Sequence, residues 1–241
     1  YAQQLARSGF RVLIPTLINR ELNKWNLSQR EWLHRAAFEL GRTLAGYEVQ
    51  KIQAGVKLLQ QTSGDSSRPV GIIGWGEGGR LALYAAALDS EIDVAAVCGY
   101  FAPRENLWQE PADRNVFGLL NSLGDAEIAS LVAPRSLIIE NGTCPEYGYR
   151  TTADGNLEVI DDHYPKMKGK PGKLLIPSQQ NVRDEFARAR QFVADLKTET
   201  PCLTLIEANE AIGDKTLQAL ISSLDDDATL STEVKPVELK T

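Results

Sequence analysis

The sequence predicts an α/β fold in which a mostly parallel sheet has helices on both faces. Short apolar runs alternate with helical patterns along the 241 residues, and this alternation is typical of parallel strands joined by crossover helices. A glycine-rich turn, Gly74–Trp75–Gly76–Glu77–Gly78–Gly79, also stands between an apolar run and a helical pattern. We therefore expect a tight strand-to-helix turn at residue 76.

Length and composition fit one main domain with a single core. The chain is 43% hydrophobic and 24% charged, with a net charge of −6 and a pI near 5.1. An acidic chain lacks the basic face of nucleic-acid-binding proteins, and no stretch approaches the ~18 apolar residues of a membrane span. Three scattered cysteines fit neither a disulfide framework nor a zinc site. We expect no nucleic-acid or membrane partner, no metal and no cofactor.

Helix and strand alternate from the start of the chain. Residues 1–9 are predicted to form a helix that ends at Gly9, and not a signal peptide. Residues 10–15 form a β-branched run that ends in a proline, which predicts a strand. We expect the domain to have begun before Tyr1, so an export signal would lie upstream and the compartment is left open.

A long helical region is predicted from Ser28, because Ser28 and Glu31 form a capping box. Apolar residues keep helical spacing as far as residue 59, and a kink or break is expected at Gly41 or Gly46. Further strands are predicted at residues 70–73, 94–98, 135–140 and 202–206, and further helices at residues 80–88 and 182–196 and after Asp214.

The predicted domain covers residues 1–224. It contains a lid at about residues 99–134, between two strands, and an irregular excursion at about residues 141–181, where Gly, Pro, Lys and Asp dominate. Residues 225–241 form a polar tail with no clear core face.

The glycine-rich turn is the scaffold of a nucleophile elbow, G-x-S-x-G, with Gly76 at the place of the serine. Together with Gly99–Tyr100–Phe101 and Ala133–Pro134–Arg135, it resembles the acetyl-xylan-esterase and dienelactone-hydrolase-like branch of the α/β-hydrolase superfamily. The resemblance runs from about residue 9 to about residue 224. It implies that the early strands and one oxyanion loop precede Tyr1, and that the ligand is a small molecule or a carbohydrate ester.

The resemblance implies a serine or cysteine at the elbow, an acid after the strand that follows the lid, and a histidine after the last strand. Gly76 has no attacking group, although glycine preserves a strained turn. Glu140 stands first at the acid place, with Glu146 a little beyond. Glu140 is equally open to a structural role, capping a turn or pairing with Arg135. Residues 207–213 contain no histidine.

The chain has two histidines, His34 and His163. His34 falls in the long helical region, where packing or solvent exposure is expected. His163 follows Asp161 and Asp162 in the excursion, and a histidine beside carboxylates is a candidate base. A surface histidine in a loop is the alternative. Cys98, at a strand end, is more typical of a core residue than of a replacement nucleophile.

Binding residues are also suggested. The backbone N–H of Glu77 is the oxyanion donor that the resemblance implies, at a helix N-terminus that favours negative charge. In the lid region, Tyr100, Trp108, Asp113 and Arg114 are candidates for a polar pocket with an aromatic platform for a sugar. The alternative is that they only join the lid to the sheet.

Three functions remain open from the sequence. The first is a weakly active or non-catalytic relative of carbohydrate acetyl esterases, and the second is an ester hydrolase with a rearranged site at Glu140 and His163. The third is a dinucleotide-binding domain, because Gly74, Gly76 and Gly79 match G-x-G-x-x-G. That third hypothesis requires an acidic residue at the end of the next strand, where the sequence has none. The sequence does not determine the oligomeric state.

Overall fold

A computed structural model covers the chain. It describes residues 1–231 except 22, 24–26, 66, 148, 152–153, 155–156, 160–171, 175 and 199–200, with backbone alone at 149–151 and 157–159. The candidate base His163, with Asp161 and Asp162, lies outside the described residues. Within the described part, no helix has both the length and the apolar character needed to cross a membrane.

The centre of the molecule is a four-stranded parallel sheet in the order β1-β2-β3-β6. Its strands are β1 (Gly71–Trp75), β2 (Val94–Cys98), β3 (Ser136–Asn141) and β6 (Leu203–Glu207). Trp75, Cys98, Glu140 and Ile206 lie side by side near the carboxyl ends. Every residue of β2 is buried, as expected for a parallel strand covered on both faces. Two short strands, β4 (Tyr149–Thr151) and β5 (Leu157–Val159), form a separate antiparallel pair.

Seven α-helices surround the sheet in the described part of the chain: α1 (Ala2–Arg7), α2 (Gln29–Glu39), α3 (Leu44–Ser63), α4 (Glu77–Leu88), α5 (Asp125–Ser130), α6 (Gln179–Phe192) and α7 (Asp214–Ser222). Helices α3, α4, α5 and α6 contribute to the larger apolar cluster on one face of the sheet. Helices α1 and α7 contribute to a second cluster on the other face. The predicted α/β fold, with helices on both faces of a parallel sheet, is therefore confirmed.

The long helical region breaks at Gly41, which adopts a φ of +67° that favours glycine. Ser28 caps α2 by accepting a hydrogen bond from the N–H of Glu31 at 3.0 Å. Thr43 caps α3 in the same way, accepting from the N–H of Gly46 at 3.0 Å. Gly46 therefore lies inside the first turn of α3 and does not break it.

The strand predicted at residues 10–15 is wrong. The segment is not helical, and Phe10 and Val12 pack against the core on the α1 and α7 side, but no described residue forms a backbone ladder with it. A strand needs a hydrogen-bonded neighbour as well as an apolar pattern. The local sequence reports only the apolar pattern.

The lid region, residues 99–134, contains α5 and three short 3-10 helices, Leu107–Gln109, Ala112–Arg114 and Leu119–Asn121. Helix α5 belongs to the main core, because Ala126 and Ala129 are buried in the larger cluster. The start of the tail also differs from expectation. Ala228 and Leu230 pack against the second cluster, and the N–H of Leu230 donates to Gln218 at 2.9 Å.

Candidate functional site

A single residue, Gly76, joins β1 to α4. Its φ of +56° and ψ of −114° are a backbone conformation that is strained for any residue with a side chain. The N–H of Gly76 donates to the carbonyl of Cys98 at 2.9 Å, and its carbonyl accepts from the N–H of Arg80 at 3.1 Å. A Cβ atom built on Gly74 would lie 2.1 Å from the carbonyl of Gly78. The backbone of a sharp elbow is therefore fully formed.

The loop after β3, residues 142–146, packs directly on this elbow, and we call it the covering loop. A Cβ atom built on Gly76 would lie 2.6 Å from Cδ of Pro145. One built on Gly99, whose φ is +59°, would lie 2.3 Å from the carbonyl oxygen of Thr143. The indole Nε1 of Trp75 donates to that same oxygen at 2.6 Å. In this arrangement a serine side chain has no room at residue 76.

Glu140 is buried at the end of β3 and joins the loop after β6. Its carboxylate accepts hydrogen bonds from the N–H of Ile212 at 2.7 Å, from the N–H of Gly213 at 2.9 Å and from Oγ1 of Thr216 at 2.5 Å. Both N–H groups lie at the N-terminus of α7, where a negative charge is favoured. Glu140 therefore caps a turn.

Arg135 does not pair with Glu140, because its guanidinium donates to the backbone carbonyls of Ala86, Asp89 and Ile92. Cys98 lies beside Glu140 in the sheet. Burial, reinforced by the charge and hydrogen bond of Glu140, raises the pKa of the Cys98 thiol well above its usual range. A buried, protonated thiol is a poor nucleophile.

Glu77, the residue after the elbow glycine, is surrounded by four guanidinium groups. Its carboxylate lies 2.5 Å from Arg80, 2.9 Å from Arg20, 3.2 Å from Arg30 and 3.3 Å from Arg114. Burial opposes its ionisation, but the four positive charges outweigh burial and hold the pKa of Glu77 far below its usual range. Glu77 is therefore a fixed negative charge whose side chain is already paired.

Further ion pairs extend this arrangement, which we call the arginine cluster. Its members are Arg20, Arg30, Arg80, Arg104 and Arg114 with Glu48, Glu77, Glu110, Asp113 and Asp125. Asp113 is fully buried and accepts from Arg20 at 2.6 Å and from Arg30 at 2.9 Å. Arg30 also binds both carboxylate oxygens of Glu48 at 2.7 Å. The cluster thus joins α2, α3 and α4 to the lid region.

Sequence reasoning missed Arg20, Arg30 and Glu48, which come from segments far from the elbow. One signal was available for Arg30. It shares helical spacing with His34 and Ala37, and all three are buried. A charged residue on the buried face of a helix indicates a buried partner, although the sequence does not say which one.

Tyr100 packs against two arginines of this cluster. Its hydroxyl donates to Asp125 at 3.1 Å, and the guanidiniums of Arg104 and Arg114 lie 4.4 and 5.1 Å from the centre of its ring. Burial, followed by the charge of Asp125, raises the pKa of Tyr100 well above its usual value. Tyr100 therefore stays neutral and offers its ring to two cations.

A cavity of about 470 Å³ opens beside the elbow. Its lining includes Gly76, Glu77, Gly99, Tyr100, Arg104, Glu110, Arg114, Cys144, Pro145, Glu146, Tyr147 and Lys173. In the described part of the chain, no acceptor is bonded to the backbone N–H of Glu77. That N–H is available at the cavity wall, at the N-terminus of α4.

Two of the four pocket residues suggested by the sequence do not line this cavity. Trp108 is 79% exposed, because its short 3-10 helix turns Gln109 and Glu110 inward and leaves the indole outside. Asp113 lies behind the cavity wall, buried against Arg20 and Arg30. Tyr100 and Arg114 do line it.

A sharp glycine elbow after a parallel strand, in a sheet with helices on both faces, is typical of the α/β-hydrolase fold. The model of the dienelactone hydrolase family matches residues 1–120 of the chain. No curated protein matches the sequence significantly. The chain thus has the fold of the α/β-hydrolase superfamily, and its residues 1–120 are similar to the dienelactone hydrolase family.

Among the solved structures similar to this chain, one supports the fold and two give weaker superpositions. A putative acetyl xylan esterase from Bacteroides fragilis superposes with a TM-score of 0.50 at 11% identity, over 75% of this chain and 40% of that one. A carbohydrate esterase family 15 glucuronoyl esterase from Caldicellulosiruptor kristjansonii gives 0.34 at 14% identity, over 64% and 42%. A glucuronoyl esterase from Solibacter usitatus gives 0.40 at 12% identity, over 73% and 47%. This chain spans less than half the length of each.

The family model that matches the chain is that of a hydrolase and not of a dinucleotide-binding domain. The acidic residues Glu91 and Asp93 precede β2. Asp93 is engaged there in accepting a hydrogen bond from the N–H of Val70 at 2.7 Å.

Proposed function

We propose that this domain binds a small carbohydrate or ester ligand in the cavity beside the elbow and hydrolyses it weakly or not at all. The observation that carries the proposal is the position of Pro145. Its ring fills the space above Gly76 that a nucleophile would need, 2.6 Å from where a Cβ atom would stand. Because Pro145 covers the position that a nucleophile would occupy, the site is suited to binding a ligand and not to acyl transfer.

The positions where the family has its catalytic histidine and acid support the same proposal. Residues 207–213, after β6, contain no histidine to accept a proton. Glu140 is engaged with Ile212, Gly213 and Thr216, so its carboxylate orients no imidazole in the described residues. Loss of a complete catalytic triad costs about 10⁶ in rate and leaves roughly 10³- to 10⁴-fold acceleration over water. We therefore expect turnover close to background.

Features that serve binding are retained beside the covered turn. The cavity of about 470 Å³ falls within the range of about 300–1,000 Å³ typical of small-molecule sites. The N–H of Glu77 points from the N-terminus of α4, which favours an oxygen acceptor. Tyr100 and Arg114 supply an aromatic ring and a guanidinium.

Hydrolysis of p-nitrophenyl acetate tests this proposal, with buffer and heat-denatured protein as blanks. We expect wild type and His163→Ala to give the same rate, close to that of the denatured protein. The matched control is Trp108→Ala, at an exposed residue outside the cavity. Clear turnover that disappears in His163→Ala and persists in Trp108→Ala would overturn the proposal and favour the rearranged hydrolase.

A further inference from the structure

Strand β1 forms one edge of the sheet, and part of its backbone has no partner among the described residues. The carbonyl of Val70 and the N–H of Gly76 both bond to the β2 side of the strand. Because backbone groups alternate sides along a strand, the N–H and carbonyl of Ile73 point away from β2. No described residue bonds to them, since β1 pairs with β2 alone. This edge of β1 is therefore free to form a further ladder.

Residues 10–17 run parallel to β1, although they belong to no ladder in the described part of the chain. Later residues of this segment contact earlier residues of α3: Arg11 with Thr62, Leu13 with Gly55 and Thr16 with Lys51. The segment is thus antiparallel to α3. Helix α3 leads into β1 through a loop that is too short to run back along the helix, so α3 is also antiparallel to β1.

The side chains of this segment alternate between the two faces of the sheet. Phe10 and Val12 pack against the second cluster, whereas Leu17 packs against the larger one. Leu13 contacts α3, which contributes to the larger cluster. A period of two, with both faces in use, places the segment in the plane of the sheet. Leu13 and Ile14 are 44% and 68% exposed, so apolar surface is left uncovered there.

The connections of the sheet show on which side of β1 this segment lies. Helices α4 and α6 lie on the face of the larger cluster, and each carries the chain one strand further along the order β1-β2-β3-β6. Helix α3 lies on the same face, and crossover connections share one hand. Residues 10–17 therefore come before β1 in that order, beyond its free edge.

Helix α1 indicates where a strand for this edge comes from. It packs on the opposite face through Leu5 and leads into residues 10–17. A strand before α1 would reach residues 10–17 by a crossover on that opposite face, and the same hand then places it on their β1 side. That position adjoins the free edge of β1.

We propose that a parallel strand, carried by the polypeptide directly before α1, inserts between residues 10–17 and β1 and joins them into one continuous sheet. With helices on both faces, such a strand is buried on both sides, so it is rich in valine, isoleucine and leucine. Its carboxyl end lies beside Trp75 at the elbow, on the border of the cavity. Its insertion does not depend on ligand binding in the cavity.

Amide hydrogen exchange, followed by NMR, tests the free edge in the 241-residue chain. Ile72 and Ile73 are adjacent in β1, and only the N–H of Ile72 points to β2. We expect the amide of Ile73 to exchange about tenfold faster than that of Ile72. Equal protection of the two amides would overturn the inference, because the edge would then already be paired within the chain or with a second copy.

Adding a strand tests the insertion itself. The probe is an N-terminal extension of about six valine, isoleucine and threonine residues, joined to Tyr1 by a linker of about four residues. We expect the exchange of Ile73 to slow about tenfold and thermal unfolding to shift upwards. The matched control carries proline in the centre of the same extension. It should protect nothing, because proline donates no ladder hydrogen bond.

The same strand, added as a separate synthetic peptide, is a second format that leaves the folded chain unaltered. Failure of both formats to slow the exchange of Ile73 would overturn the inference, and so would equal protection by the proline control. Protection that requires dimers of the extended chain, measured by sedimentation, would also overturn it and assign the edge of β1 to a second copy.

Discussion

The two sides of the elbow differ although one backbone turn forms both. On the Gly76 side, the covering loop packs against the turn and leaves no room for a side chain. On the Glu77 side, the same turn opens on a cavity bordered by the arginine cluster. Both sides border the same cavity, whose lining includes Gly76, Glu77 and Pro145. They differ because Pro145 occupies the space that a side chain at residue 76 would need, whereas no described residue accepts a hydrogen bond from the N–H of Glu77.

The largest expected effect is on the Glu77 side. Glu77→Gln removes the negative charge that four arginines share, and unpaired buried charges cost about 3–5 kcal/mol of stability. Urea unfolding of wild type and variant measures the difference. Glu207→Gln, at an exposed ion pair, should cause no measurable change. Equal stability of the two variants would show that Glu77 does not organise this side of the elbow.

The pH dependence of that effect sharpens the test. The arginines depress the pKa of Glu77 below its ordinary value of 4.5, so Glu77 binds fewer protons in the folded state than in the unfolded state. Its contribution to stability is then present above about pH 4.5 and lost as pH falls towards its depressed pKa. The difference between wild type and Glu77→Gln should shrink in acid, and a difference that grows would contradict this assignment.

On the Gly76 side, Gly76→Ser should destabilise the protein by about 2–4 kcal/mol, from backbone strain and from overpacking against Pro145. It should not create an esterase, because a serine without a base is a weak nucleophile. Gly78→Ser is the matched control, since a Cβ atom there would contact nothing within 4 Å. Pro145→Gly should partly rescue the stability of Gly76→Ser.

High esterase activity in Gly76→Ser would mean that a base reaches the elbow. The statement that the Gly76 side is closed to catalysis would then be wrong. Wild-type stability of Gly76→Ser would instead mean that the covering loop moves away easily. Thermal unfolding and p-nitrophenyl acetate hydrolysis together distinguish these outcomes.

A smaller effect is expected at Glu140. Glu140→Gln should cost about 1.5–3 kcal/mol, since it weakens charge-assisted hydrogen bonds to Ile212, Gly213 and Thr216. Ligand binding in the cavity should not change. The Thr216→Val variant, which removes one of the three bonds, should lose less stability than Glu140→Gln. If Glu140→Gln lost ligand binding while its stability stayed unchanged, Glu140 would have a functional and not a structural role.

The smallest effect is expected at Trp108. Trp108→Ala should change stability by less than about 0.5 kcal/mol, because the indole is largely exposed, and it should leave probe binding unchanged. Urea unfolding measures the stability, and ligand-observed NMR titration with methyl β-D-glucoside as the probe measures the binding. A clear loss of binding would show that the ligand contacts Trp108, which lies outside the cavity described above.

Much of the fold was predictable because it depends on local pattern. The capping pattern at Ser28, the break at Gly41 and the buried strand at residues 94–98 all follow from short stretches of sequence. Residues 10–15 show where this fails. Their apolar pattern was visible, but the ladder partner that makes a strand comes from elsewhere in the fold.

The sequence by itself determined the glycine elbow and its missing attacking group, because glycine spacing and residue identity are local properties. The tertiary structure alone decided that Pro145 covers Gly76 and that Glu140 caps α7. It also decided that Arg20 and Arg30 pair with Glu77 and that Glu48 pairs with Arg30. These contacts join residues that are tens of positions apart. Such partners are selected by close packing and by the pairing of buried charges. Neither requirement produces a periodic pattern of residues along the sequence.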